Sequence, residues 1–186
     1  MKTILVTILS LSLFAFTFKS EPTKYFTREA NITFLSDAPL EKIQGINNQA
    51  VSMLDISTGT IEFAVLMKAF EFEKALLQEH FNENYVESDK FPKANFKGTI
   101  TNFSDVKWTV DGEYPVTATG KFTLHGVTKD VTSKGKITVK AGAISATSTF
   151  NILISDYNIT IPSVVKDKIN NSVKIDVTSN YKPYQG

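Results

Sequence analysis

Gly120–Val131 reads GKFTLHGVTKDV, and the fold turns on it. Before its centre, Val116, Ala118, Phe122 and Leu124 share one face, with Thr117, Thr119, Lys121 and Thr123 on the other. After it, Val127, Lys129 and Val131 alternate with Thr128, Asp130 and Thr132. A period of two on both sides of a short polar break predicts two half-buried strands joined by a tight turn. Gly126 can take the positive φ that such a turn demands. The stretch is a hairpin, and it looks like the centre of an all-β barrel.

Working outward, the same pattern recurs. Ala30, Ile32 and Phe34 alternate in Tyr25–Ser36. Ala50–Ile56 and Thr60–Met67 form a second hairpin around Ser57–Gly59, with Ile61, Phe63, Val65 and Met67 on one face. Strands resume at Ala94–Thr101, Ser104–Val110, Tyr114–Leu124, Val127–Lys140, Ala143–Ile154 and Val173–Tyr181. Ile144 to Ile154 alternate strictly, a length that suits tilted barrel strands. Pro39–Asn48 reads as a connector. Phe70–Tyr85 breaks the period: Phe70, Leu77, Phe81 and Tyr85 recur near helical spacing, which predicts one amphipathic helix over Phe72–Glu83. Pro162–Ile169 suggests a short helix behind Pro162. The tally is eight or nine strands, short turns and one helix, so pairing should be antiparallel and closure would remove exposed edges.

The 186 residues suit one domain with a full core. Lys and Arg number 20 and Asp and Glu 19, so no charge excess points to nucleic acid. There is no cysteine, which excludes disulfides, thiolate chemistry and an N-terminal lipid-anchoring Cys. Lys2 and the apolar run after it have the form of a secretory signal ending near Ser20, followed by one domain over 21–186. The run is short for a membrane span. An uncleaved anchor is the alternative. Once the signal is removed, no stable membrane span is expected, and the protein would be periplasmic or secreted.

His80 and His125 are the only histidines, too few for a metal centre or a catalytic triad with the other residues in view. His125 falls in the hairpin turn, where a solvated or capping role is expected. His80 shares its helix face with Leu76 and Leu77 and is a candidate head-group contact. No catalytic residue, metal or cofactor is expected.

Three stretches carry a family resemblance. GKFTLHGVTKDV is similar to the Gly-x-Leu-Thr-(Leu or Ile)-x-Gly-Val-Thr-(Lys or Arg)-x-Val segment of the YceI-like family of exported, lipocalin-like barrels. FPKANFKG, Phe91–Gly98, resembles that family's strand entry after the helix. Ser155–Ile159 with Lys174–Val177 resembles its closing strands. The likeness spans nearly all of Tyr25–Lys182. It departs at LLQEHFNENYVESDKF, where many members carry an Arg and an Asp-Phe-Phe-Asp-like run. It also departs at Asn158, where Gly is common. The resemblance implies an antiparallel eight-stranded barrel with one amphipathic helix at the rim and an elongated apolar cavity. It implies a polyisoprenoid or similar amphipathic lipid as partner, bound without catalysis; a homodimer is compatible with it. Ligand-binding candidates are the inward strand residues Phe63, Val65, Met67, Phe122, Phe150 and Ile152, and the helix residues Phe70, Leu77, His80 and Phe81. A barrel filled by its own side chains, with no ligand, is the competing expectation.

Overall fold

The computed structural model describes residues 22–184; the expected signal segment lies outside them. Eight strands follow one another: β1 (Lys24–Asp37), β2 (Lys42–Asp55), β3 (Thr60–Leu66), β4 (Lys93–Ile100), β5 (Gly112–Leu124), β6 (Val127–Lys140), β7 (Ala143–Leu153) and β8 (Ser172–Pro183). Each pairs antiparallel with the next, and β8 pairs with β1, so the sheet closes into a barrel. The opening hairpin is β5–β6. Its thirteen paired positions run without a shift from Gly112–Val139 to Leu124–Val127. The turn is His125-Gly126, both residues at positive φ (49° and 75°), the twist that a two-residue hairpin favours.

Four expectations fail locally. Pro39–Asn48 is not a connector, because β2 begins at Lys42. Its inward positions include Gly45 and Asn47, both buried, so the sequence shows no apolar alternation there. Asn47 is nonetheless satisfied: its Nδ2 donates to the Leu66 carbonyl at 2.9 Å and its Oδ1 accepts from the Gln49 N–H at 2.8 Å. Ser104–Val110 is not a strand. A 3₁₀ turn at Phe103–Asp105 and a turn closed by the Val110 N–H on the Lys107 carbonyl carry it across the barrel end. Three alternating apolar residues, Val106, Trp108 and Val110, were too few to tell a strand from such a loop. Finally, the helix α1 covers only Ala75–His80, and a π turn over Phe81–Tyr85 replaces its second half. The Pro162–Ile169 helix is likewise only a 3₁₀ turn at Ser163–Val165.

The interior divides in two. At the end holding the 56–59, 101–111 and 141–142 connections, Leu54, Ile61, Ile100, Val116, Ile137, Val139, Ile144 and Tyr181 pack into a closed core. Val106 seals it from the 101–111 loop, with Trp108 and Phe103 packed beside it. Tyr181 is 5% exposed and its hydroxyl shares a hydrogen bond with Ser52 Oγ at 2.8 Å. The other end, with the 38–41, 67–92 and 154–171 segments, is where the second apolar cluster lies. The filled-barrel expectation therefore describes only one half.

Gly120 owes its identity to the β4–β5 pairing, where it faces Gly98. A Cβ on Gly120 would lie 2.4 Å from the Lys97 carbonyl oxygen and 2.5 Å from Gly98 Cα. Both are backbone atoms, so no side-chain movement relieves the clash. Gly120→Val should lower stability by about 3 kcal/mol or more, read as a shift of the urea midpoint at unchanged slope. Burial pushes the Tyr181 phenol up to about 12 from 10.0. The folded state then keeps a proton that the unfolded chain releases, so stability is full below about pH 10 and falls as pH rises through about 12. Tyr85 and Tyr157, also raised by burial, act with the same sign. Tyr181→Phe should remove part of that alkaline slope in urea melts between pH 9 and pH 12, about the window bounded by the two phenol values.

Candidate functional site

The open half of the barrel holds a cavity of about 500 Å³. That volume lies within the range of about 300–1,000 Å³ typical of small-molecule pockets. Its walls are built by inward faces of the strands: Ile32 and Phe34 from β1, Phe63 and Val65 from β3, Phe122 and Leu124 from β5, Phe150 and Ile152 from β7, Ile175 and Val177 from β8. The deep end touches Ala118, Val131 and the hydrogen-bonded pair Ser133–Ser148. The charged side chains Glu41, Lys74 and Lys168 gather at the mouth with Ser36 and His80, and Asn95 of β4 also borders the cavity. The result is an apolar slot with a mixed-charge entrance.

All ten sequence-predicted residues line this cavity. Phe63, Val65, Phe122, Phe150 and Ile152 do so from the inward faces of their strands, and Met67, expected in the same strand, does so from the 3₁₀ turn Met67–Ala69 that follows β3. Phe70, Leu77, His80 and Phe81 come from the segment that crosses the mouth. The helix face expected to carry Leu76 and Leu77 beside His80 needs one correction. Leu76 touches the cavity edge but is 60% exposed, because α1 is one and a half turns long and packs no second row. The π turn has a purpose in the packing. Its Val86 N–H donates to the Phe81 carbonyl, five residues back, and Phe81 and Tyr85 both reach the cavity.

Phe34 was outside the predicted set and is the hub of the mouth. Its ring meets Phe70 and Phe81 at 5.3 Å and Phe72 at 5.7 Å between centroids; Phe81 in turn meets Phe72 at 5.0 Å. Such pairs add about 0.5–1.5 kcal/mol each beyond burial. The ring fits because its cross-strand partner is Gly45, where a Cβ would lie 2.4 Å from Phe34 Cε1. The Phe34 position was legible as inward facing, but its partner was hidden in the misread connector. Glu41, Ile43, Val165, Lys168 and Ile169 were missed for the same kind of reason: they belong to loops or to a strand without apolar alternation.

His125 is not a solvated turn residue. Its side chain is 10% exposed. Nδ1 lies 3.0 Å from the Tyr157 carbonyl, Nε2 lies 2.7 Å from Glu87 Oε2, and the ring meets the Phe91 edge at 4.6 Å. Both nitrogens face oxygen acceptors, so both donate when the ring carries its second proton. One histidine thus ties the β5–β6 turn to the loop after the π turn and to the β7–β8 segment. Asn158, just beyond, sits at φ 57°, a left-handed conformation that Asn tolerates. Among the described residues, no three His, Asp or Glu side chains converge as a metal site.

The family model of the YceI-like domain matches residues 23–181. No curated protein matches the sequence. Among solved structures, the chain is similar to a polyisoprenoid binding domain from Saccharophagus degradans implicated in plant cell wall breakdown. The TM-score is 0.76 at 11% identity, covering 88% of this chain and 100% of that one. Burkholderia cenocepacia BcnA gives 0.66 at 14%, covering 82% and 96%. A Campylobacter jejuni YceI protein gives 0.50 at 18%, covering 98% and 99%. At such identities the likeness is one of fold.

His125→Ala should cost about 1–3 kcal/mol through the lost bonds to Glu87 and Tyr157. Amide exchange should quicken selectively in residues 82–92 and 154–159 while the closed-end strands keep their protection. Uniform quickening across the barrel would show that the histidine does not act as a local tie.

Proposed function

The chain belongs to the YceI-like family, and from that premise we infer that it binds a long-chain amphipathic lipid and does not catalyse its conversion. The observation that carries this reading is the cavity's polarity gradient. Phenylalanine and aliphatic walls line the depth apart from the mutually bonded Ser133–Ser148 pair, while the ionisable side chains Glu41, Lys74, His80 and Lys168 stand at the entrance. A chain lipid matches that order, tail inward and head at the mouth. Each buried CH₂ contributes about 0.8 kcal/mol, so ten such groups give about 8 kcal/mol gross before ordering costs. No directed chemistry is needed for the tail, and Met and Phe walls accept varied shapes.

A polyisoprenoid-like tail is the more specific form of this reading, supported by the family and by the likeness to the polyisoprenoid binding domain of Saccharophagus degradans. The ten lining residues predicted from sequence are its proposed contacts, with His80 at the head group. The protein would act by sequestration or transport, as one barrel domain exported behind a signal ending near Ser20, in the periplasm or outside the cell. The two histidines fit a binding protein. One is committed to the Glu87–Tyr157 tie, and the other stands exposed at the entrance.

Organic extraction of the purified protein followed by mass spectrometry should release a chain lipid at near one per barrel. Val131→Trp places a large ring in the deep end of the cavity, at the position paired with Gly120. This variant should keep its circular dichroism and lose lipid by about tenfold or more, a change of about 1.4 kcal/mol. Lipid absent from the parent protein, and not taken up when supplied, would overturn the reading.

A further inference from the structure

The three most exposed large apolar side chains of the described residues are Val164 at 87%, Leu40 at 71% and Leu76 at 60%. They lie far apart in sequence, yet all three stand on segments that border the cavity mouth. The Leu40 N–H donates to the Asp167 carbonyl at 3.0 Å, which joins the β1–β2 turn to the 163–169 segment. Lys74 Nζ lies 3.7 Å from Glu41 Oε1, which joins the start of α1 to the same turn. Glu41, Leu76 and Val165 themselves line the entrance. Scattered exposed aliphatic residues need no explanation, but convergence around one opening does.

We propose that Leu40, Leu76 and Val164 form a three-point apolar rim that docks the barrel mouth on the surface of a phospholipid bilayer. The inference rests on the lipid-binding reading, because a water-insoluble ligand must be taken from a membrane and returned to one. Shallow insertion of the rim sets the entrance against the acyl boundary, so the tail passes from lipid to cavity without crossing water. The rim is not a cationic patch. Lys42 pairs with Asp37 at 3.2 Å, Lys74 faces Glu41, and Asp167 stands between Lys166 and Lys168. Docking is therefore apolar in origin and follows buried area rather than lipid charge. The first strand begins away from the rim, at the closed end, where Lys24 pairs with Asp55.

The test uses residues 22–186, which contain all eight strands and both core clusters. The protein should co-sediment with phosphatidylcholine vesicles. Leu40→Ser, Leu76→Ser and Val164→Ser combined should reduce partitioning by about tenfold or more with no loss of melting temperature, because all three side chains already face water. Added phosphatidylserine, or salt that screens charge, should change partitioning by less than about twofold. As an independent reading, Leu76→Trp should shift its emission to shorter wavelength on vesicles, while Trp108 at the closed end should not. Equal partitioning of parent and triple variant would overturn the proposal, as would binding that appears only with anionic lipid. So would a rim that drives self-association in place of vesicle binding. A protein that binds solvent-dispersed lipid but ignores vesicles would sink the docking and leave the lipid reading intact. One that binds vesicles through the rim but extracts no lipid would uphold the docking and sink the reading beneath it.

Discussion

The ladder between β1 and β8 closes an eight-stranded sheet on itself, and a closed sheet has an inside. Strand side chains alternate in direction, so closure sends every second residue into a shared, water-poor space. That space must be filled by side chains, by ligand or by both. Here the two halves answer differently. Leu54, Ile100, Ile137, Val139 and Ile144 pack one half shut beneath the 101–111 loop. In the other half Phe34, Phe63, Phe122 and Phe150 line a void. Without the β1–β8 ladder neither a core nor a container would exist.

What keeps the open half open is the handling of its rim. Phe34 lies against Gly45 and gathers Phe70, Phe72 and Phe81 around it, which holds the crossing segment over the mouth. His125 ties three loops on another side of the same end through Glu87 and the Tyr157 carbonyl. On the β6–β7 side the ladder stops at Lys134–Thr149. Beyond it, Tyr157 is buried with its ring 5.5 Å from Phe122. These contacts are mostly aromatic and local. They brace the entrance while leaving its centre unfilled, and they leave α1 short enough to turn Leu76 outward.

The strands were legible where inward positions are apolar and outward ones polar. β5 and β7 show that alternation over most of their length, and β6 does so with Lys129, Ser133 and Gly135 breaking its apolar face; the ends of all three fall close to the expected ones. The first half of β2 was illegible because Gly45 and Asn47 occupy inward positions: one makes room for a ring, the other satisfies backbone groups across strands. Ser104–Val110 misled in the opposite sense, since its apolar residues alternate, yet Val106 and Trp108 seal the closed end and Val110 is exposed. The helix was overextended because Phe81 and Tyr85 sit at helical spacing while the backbone between them takes a π turn. All ten candidate lining residues reached the cavity, yet Phe34 and the loop residues Glu41, Val165 and Lys168 were not among the candidates. A loop side chain has no period to betray its direction.

The sequence by itself determined the class: an all-β chain of antiparallel neighbours, with a central hairpin at His125-Gly126 and one helical interruption. It could do so because the period of two and the turn residues are properties of adjacent positions along the chain. Only the tertiary structure decided which half of the barrel is packed and which is hollow. It alone decided that His125 is a tie rather than a turn ornament, and that Val164, Leu40 and Leu76 meet at one opening. Those outcomes depend on register and on which loops face each other across a closed sheet, contacts between residues from 32 positions apart, as at His125 and Tyr157, to more than a hundred, as at Leu40 and Asp167, that no local pattern encodes.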